Sequence, residues 1–163
     1  MDVRELRNSF GCFATGVTVV TWVNDEGQRR GITVNSFTSV SLDPALLLVS
    51  IDKRTKAFEE LRNRPFVINV LSADQSAYAM QFAGRPQEDL VVEWEESTRG
   101  PRLKGASAHF ECSPWAEYEG GDHLLFVGKI EGFSHSDREG LIFYRGRFFE
   151  TEYKAILAGN KSF

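Results

Sequence analysis

The amino-acid sequence predicts a mainly β fold, an antiparallel barrel with a few helices packed on its rim. Two observations carry this. Segments with strand character outnumber helical ones, and several are joined by tight turns where a layered parallel sheet would need crossover helices. Closure would also remove exposed edges from so strand-rich a chain.

Taken in order, Val3, Leu6, Phe10 and Phe13 recur at helical spacing and predict an amphipathic opening helix. Val17 to Val23 is rich in β-branched residues and reads as a strand. Asn24-Asp25-Glu26-Gly27 supplies turn chemistry, and Gly31 to Val34 is the partner strand. Ser39 to Leu42, a turn at Asp43-Pro44 and the apolar run Leu46 to Ile51 follow, the last short enough to be a strand buried on both faces. A helix from about Thr55 to Asn63 is halted by Pro65. Phe66 to Leu71 is a strand, and Ala73 to about Phe82 a helix turning Ala77, Met80 and Phe82 inward. The acidic stretch from Leu90 to Arg99 has no clear period. Strands resume over Ala106 to Trp115 and Leu124 to Ile130, with a short one at Leu141 to Phe143 or Phe149.

A chain of 163 residues, 42% hydrophobic and 26% charged, suits one globular domain spanning 1–163. The net charge of −4 argues against a nucleic-acid partner. No apolar run approaches the roughly 20 residues of a membrane span, and Met1-Asp2-Val3-Arg4-Glu5-Leu6 is too polar for a signal peptide, so a cytoplasmic protein is expected. Cys12 and Cys112 form no Cys-x-x-Cys pair and are expected to be small buried or half-buried hydrophobes.

Much familiar chemistry is missing. There is no G-x-G-x-x-G, no P-loop and no G-x-S-x-G elbow, and His109, His123 and His135 are too widely spaced for a helix-borne metal pair. No metal site is therefore expected. Glu88-Asp89 and Glu93, Glu95 and Glu96 read as a solvated acidic face, not as paired catalytic carboxylates. What is left is a cofactor that carries the chemistry itself.

Three segments stand out. Gly31 to Pro44 places Thr33, Asn35, Ser36, Ser39 and Ser41 among apolar residues. Hydroxyl-rich strands are common, but Asn35-Ser36 offers donors and acceptors that can read the edge of a heterocycle. Lys53, Arg54 and Lys56 crowd the start of a predicted helix, either as a solvated charge run or as a site where helix N–H groups and Thr55 meet a phosphate. Gly120-Gly121-Asp122-His123 sets a lone histidine at the start of a strand, where the residues alone leave a structural and a functional role both open.

Together these segments resemble the short flavin reductases that serve two-component flavin-dependent monooxygenases, of the 4-hydroxyphenylacetate 3-monooxygenase reductase type. The resemblance runs from Phe10-Gly11-Cys12-Phe13 to Tyr144-Arg145-Gly146-Arg147-Phe148. Its specific parts are Thr15 to Thr21, the Gly31 to Pro44 block, Phe66 to Leu71, and Gly121-Asp122-His123 followed by Gly128. It implies a split β-barrel that binds flavin, a homodimer, and hydride transfer from NADH or NADPH to FMN or FAD, with reduced flavin passing to a partner monooxygenase. It implies that Thr33, Val34, Asn35 and Ser36 lie along the isoalloxazine ring, with Ser39 and Ser41 near the ribityl chain or phosphate. Ser50, Ile51, Asp52 and Lys53 would complete the site. Thr55 and Lys56 would stand near the phosphate, although Lys53-Arg54-Thr55-Lys56 departs from the family's Ser-x-Thr. Phe82 and Ala83 would close over the flavin, and His123 would face the nicotinamide with Tyr144 near the same mouth. The rival functions are a flavin-binding electron carrier without nicotinamide turnover and a non-enzymatic cofactor-binding barrel.

Overall fold

The structure, a computed structural model, describes residues 1–150, so the end of the domain expected over 1–163 lies outside the described residues. The fold is mainly β. Helix α1 (Val3–Phe10) is capped by Asp2, whose carboxylate accepts from the N–H groups of Arg4 and Glu5. The predicted helix forms, yet Val3, Leu6 and Phe10, and Phe13 just beyond it, are all exposed. Periodicity finds an apolar face without saying what covers it.

Strands β1 (Thr15–Gly16) and β2 (Thr18–Val23) lead through a turn into β3 (Arg29–Val34). Asn24 closes that turn by accepting from the N–H groups of Glu26 and Gln28, and Gly27 takes the φ of 76° the bend requires. β4 (Thr38–Leu42) passes through the cis Asp43–Pro44 bond into β5 (Ala45–Asp52). Along β5, Leu47, Val49 and Ile51 are buried, while Leu46, Leu48 and Ser50 are half-buried. The apolar run is thus a one-faced strand and not the doubly buried strand its composition suggests.

Helix α2 (Lys56–Glu60) is shorter than the predicted helix and starts at Thr55, whose hydroxyl accepts from the Phe58 N–H. β6 (Phe66–Val70) precedes α3 (Ser76–Gln81), whose one buried residue is Ala79, with Ala77 and Met80 only half-buried. The acidic stretch hides a hairpin, β7 (Trp94–Ser97) and β8 (Gly100–Leu103). β9 (Ala108–Gly120) and β10 (His123–His135) form a longer hairpin than expected. β11 (Ile142–Tyr144) and β12 (Arg147–Phe149) turn at Arg145-Gly146, both at positive φ.

Seven strands form one antiparallel sheet in the order β3-β2-β6-β9-β10-β5-β4, and β1-β11-β12 and β7-β8 form two smaller sheets. The sheet is not closed. β3 and β4 are its two edges, where the predicted barrel would have joined them. They are neighbours in the chain, however, and residues 35–37 run from one edge to the other.

One apolar cluster packs Val20, Trp22, Ile51, Leu61, Phe66 and Phe126, and a second packs Val17, Val19, Leu71, Ala79, Leu103 and Leu141. The β7-β8 hairpin is tied to the sheet by buried polar groups. Asn69 accepts from the Leu103 N–H at 2.7 Å and donates to the Val19 carbonyl, and Thr21 donates to the Pro101 carbonyl. Of the cysteines, Cys112 is buried as expected and Cys12 is exposed.

Candidate functional site

The end of β3 is flanked by two cavities that share Thr33, Val34 and Asn35. One, of about 280 Å³, is also lined by Ile32, Ser36, Ser50, Asp52 and His123. The other, of about 420 Å³, brings in Val17, Met80, Ala83, Arg85, Phe143 and Phe148.

The smaller cavity owes its composition to register. β5 and β10 pair so that His123 stands directly opposite Asp52 and Leu125 opposite Ser50. The β3–β4 connection then folds over β5, because the Ser36 hydroxyl donates to the Ser50 carbonyl at 2.9 Å and accepts from the Ser50 N–H at 3.0 Å. Three separate stretches of chain thereby converge.

Asp122 accepts from His123 Nδ1 at 2.7 Å, and the hydrogen bond and charge of His123 lower the Asp122 pKa. An ionised carboxylate can only accept, so Nδ1 carries the proton and Nε2 is left available. The Asp122 carbonyl also accepts from the Lys53 N–H, tying the β9–β10 turn to the end of β5. The Arg54 side chain and N–H both donate to the Asp52 carboxylate and hold its pKa well below the usual carboxylate range.

Other predicted residues fall differently. The Thr33 hydroxyl donates to the Ala79 carbonyl at 2.7 Å, and its N–H to the Phe82 carbonyl, so Thr33 ties β3 to α3. Phe82 packs edge-on against Trp94, and Ala83 lines the larger cavity. Ile51 is wholly buried in the core, which leaves only its backbone toward the site. Ser39 and Ser41 sit on edge strand β4 opposite Leu47 and Leu46, away from both cavities. Lys53 is paired with Glu119, Arg54 with Asp52, and Thr55 serves as the helix cap, while Lys56 has no carboxylate partner among the described residues. The Tyr144 hydroxyl accepts from Arg145 Nε at 2.7 Å, beside cavity-lining Phe143.

Asp122, Met80, Arg85 and Phe143 also belong to this region but were not singled out as site residues. Asp122 was visible beside His123. Arg85 stands only two residues beyond Ala83, whereas nothing local marks Met80 or Phe143, which reach the cavity through tertiary packing.

The fold is mainly β, and the chain belongs to the flavin reductase like domain family, whose model matches residues 10–152. It is 44% identical over 151 residues to the reductase component of the flavin-dependent trigonelline monooxygenase of Acinetobacter baylyi, covering 90% of this chain and 48% of that protein. The chain thus spans about half the length of that relative. Among solved structures it is similar to the flavin reductase PheA2, with a TM-score of 0.89 and 38% identity, covering 94% of this chain and all of that one. It is also similar to the NADH:FAD oxidoreductase SgcE6 of Streptomyces globisporus in complex with NAD and FAD fragments, with a TM-score of 0.85 and 39% identity, covering 94% of this chain and 95% of that one. No helix among the described residues is long and apolar enough to cross a membrane.

Proposed function

We propose that this protein is an NAD(P)H-dependent flavin reductase that reduces FMN or FAD and releases reduced flavin to a separate monooxygenase. The observation that carries this is the β5–β10 register, which sets His123 opposite Asp52 in one cavity with Asn35, Ser36 and Ser50. The family match and relatives named as monooxygenase reductase components support the same reading.

The residues present fit a flavin. Ile32 and Val34 give an apolar wall, and the Asn35 amide, without a partner among the described residues, gives a polar edge beside it. Asp52, the one carboxylate lining this cavity, is already neutralised by Arg54, so the wall does not repel a ring that gains negative charge. When bound, flavin supplies the hydride acceptor. The chain's own contribution is orientation and electrostatics. Asn35 donates to the ring edge, Ser36 and Ser50 hold the cavity wall in shape, and Asp122 fixes the His123 ring so that Nε2 meets the nicotinamide. Thr33 sets the spacing between β3 and α3, and Phe82 and Ala83 shield the opposite side from water. Lys56 is the unpaired cation of the basic run and meets the ribityl phosphate with Lys53 and Thr55 nearby, whereas Ser39 and Ser41, opposite Leu47 and Leu46, lie too far along β5 to reach it.

The architecture belongs to this reading as a single split β-barrel domain, its two sheet edges bridged by residues 35–37. A homodimer covers the exposed apolar side chains of α1, and a cytoplasmic setting supplies the nicotinamide.

The test is NADH oxidation with and without added FMN, FAD or riboflavin. Turnover that requires added flavin and saturates with it is the expected result. Flavin binding without NADH oxidation would leave an electron carrier instead, and neither would leave only the fold.

A further inference from the structure

In the basic run Lys53 pairs with Glu119 and Thr55 caps α2, whereas Arg54 turns back onto the end of β5. All its described bonds go to one carboxylate. Its backbone N–H and its Nε donate to Asp52 Oδ1 at 2.8 Å and 3.1 Å. Nε and a terminal nitrogen donate to Oδ2 at 3.3 Å and 2.7 Å. A carboxylate offers about four lone-pair positions, so this single arginine takes up what Asp52 can accept.

An ion pair made by an exposed arginine adds little stability, and the Arg54 side chain is 79% exposed. Its effect lies in what it denies to a neighbour. Asp52 and His123 are direct partners in the β5–β10 register and line the same cavity. Partners of this kind share a face of the sheet with Cβ atoms about 4.5–5.5 Å apart, a span that a carboxylate and an imidazole can close. His123 therefore stands between two carboxylates. Asp122 holds Nδ1 at 2.7 Å, and Asp52 is close enough for the His123 charge to act on it. Asp122 is in turn close enough to Arg54 to favour its charged form.

An ionised carboxylate only accepts, so an imidazole bonded to one at each nitrogen carries both protons. A free Asp52 would impose that state and close off Nε2. The other charges beside this end of β5, Lys53 and Glu119, are paired with each other. Asn35 and Ser36, from the β3–β4 connection, are neutral, and among the described residues the cavity has no charged lining group besides Asp52 and His123.

We propose that Arg54 is a positioning residue: by covering both oxygens of Asp52 it keeps that carboxylate off His123 Nε2, so that Asp122 alone holds the ring and Nε2 stays open. The use of this opening by a nicotinamide rests on the reductase reading, but the state of the ring is observable without turnover.

Nitrogen NMR of the His123 ring, in the full chain at mildly alkaline pH, tests it. The wild type carries a proton on Nδ1 and none on Nε2. Arg54→Met raises the doubly protonated fraction by about tenfold and slows exchange of the Nε2 proton, as a second carboxylate bond requires. Adding Asp52→Ala removes the freed carboxylate and returns the ring to its wild-type state. Arg54→Lys keeps the charge without the fork, falls between wild type and Arg54→Met, and serves if Arg54→Met does not fold. A ring unchanged in Arg54→Met, or changed but indifferent to the added Asp52→Ala, overturns the proposal. So does an Arg54→Lys ring identical to wild type, since charge alone would then suffice. In steady state Arg54→Met raises the KM for NADH several-fold, and the added Asp52→Ala lowers it again. A ring that responds as expected while NADH kinetics do not would leave Arg54 its positioning role and remove His123 from the nicotinamide site.

Discussion

Ser36 and Ser50 exchange two hydrogen bonds, hydroxyl to carbonyl at 2.9 Å and N–H to hydroxyl at 3.0 Å, which fasten the β3–β4 connection across β5. The hydroxyl takes the place of a missing strand partner at the point where the open sheet comes nearest to bridging its own edges. Ser36→Ala leaves both Ser50 backbone groups unpaired at a half-buried position. It is expected to destabilise the fold by about 1–3 kcal/mol and to raise the flavin KM, because residues 35–37 lose their anchor. Urea unfolding with a flavin titration checks both, and unchanged values in the two measurements would show that the pin is dispensable.

Asp122 acts on His123, and the two are separable. His123→Ala is expected to raise the NADH KM more than it weakens flavin binding. Asp122→Asn keeps the ring but can present an amide N–H to Nδ1, favouring the other tautomer. Its NADH kinetics should fall part of the way toward those of His123→Ala, with flavin binding intact. Steady-state rates measured against NADH and against flavin distinguish the two substitutions.

The block from Gly31 to Pro44 was legible because Asn35 and Ser36 interrupt strand chemistry, and His123 because glycines precede it at a strand start. Edge formation was not, since a strand's own residues do not reveal which side lacks a partner. The β7–β8 hairpin was hidden because both strands are four residues long, β7 is acidic and β8 opens Gly-Pro, and the pair is tied to the sheet by Asn69, Thr21 and His109 from elsewhere in the chain.

The cysteines should react differently. Burial raises the Cys112 thiol pKa to about 12, with the nearby Glu131 and Glu111 charges adding to the shift, whereas Cys12 is exposed. The thiolate is the nucleophile, so a raised pKa keeps Cys112 protonated and inert at neutral and mildly alkaline pH. Native protein treated with a thiol reagent should be labelled at Cys12 alone, and Cys112 should follow only on unfolding. Peptide mapping after labelling checks this, and equal native labelling would contradict the burial.

Asn69 is wholly buried with both ends of its amide bonded: Oδ1 to the Leu103 N–H, Nδ2 to the Val19 carbonyl and to Thr21 Oγ1. Asn69→Leu fills the space but orphans these groups in the interior, at about 1–3 kcal/mol for each one left unpaired. The hairpin should loosen first. Hydrogen exchange at Leu103 should rise by more than exchange in β9 and β10, and a uniform loss of protection would mean that the hairpin does not open independently.

Gly31 and Phe82 meet so closely that a Cβ at position 31 would lie 2.6 Å from Phe82 Cδ1 and 3.2 Å from Val19 Cγ1. The glycine is therefore fixed by packing and not by its backbone angles. Val19 is wholly buried on a central strand and has nowhere to go, so Phe82 must move. Phe82 ends α3, its carbonyl accepts from the Thr33 N–H, and its ring rests edge-on against Trp94, so displacing it disturbs the side of β3 that Ala83 and Met80 cover. Gly31→Ala should cost about 1–3 kcal/mol by overpacking and weaken flavin binding along with it. Adding Phe82→Leu removes the clashing ring edge. If the steric account holds, the double variant should be more stable than Gly31→Ala alone, although Phe82→Leu by itself is destabilising. Thermal unfolding of the four proteins reads the coupling directly, and simple additivity would show that position 31 is intolerant for some reason other than Phe82.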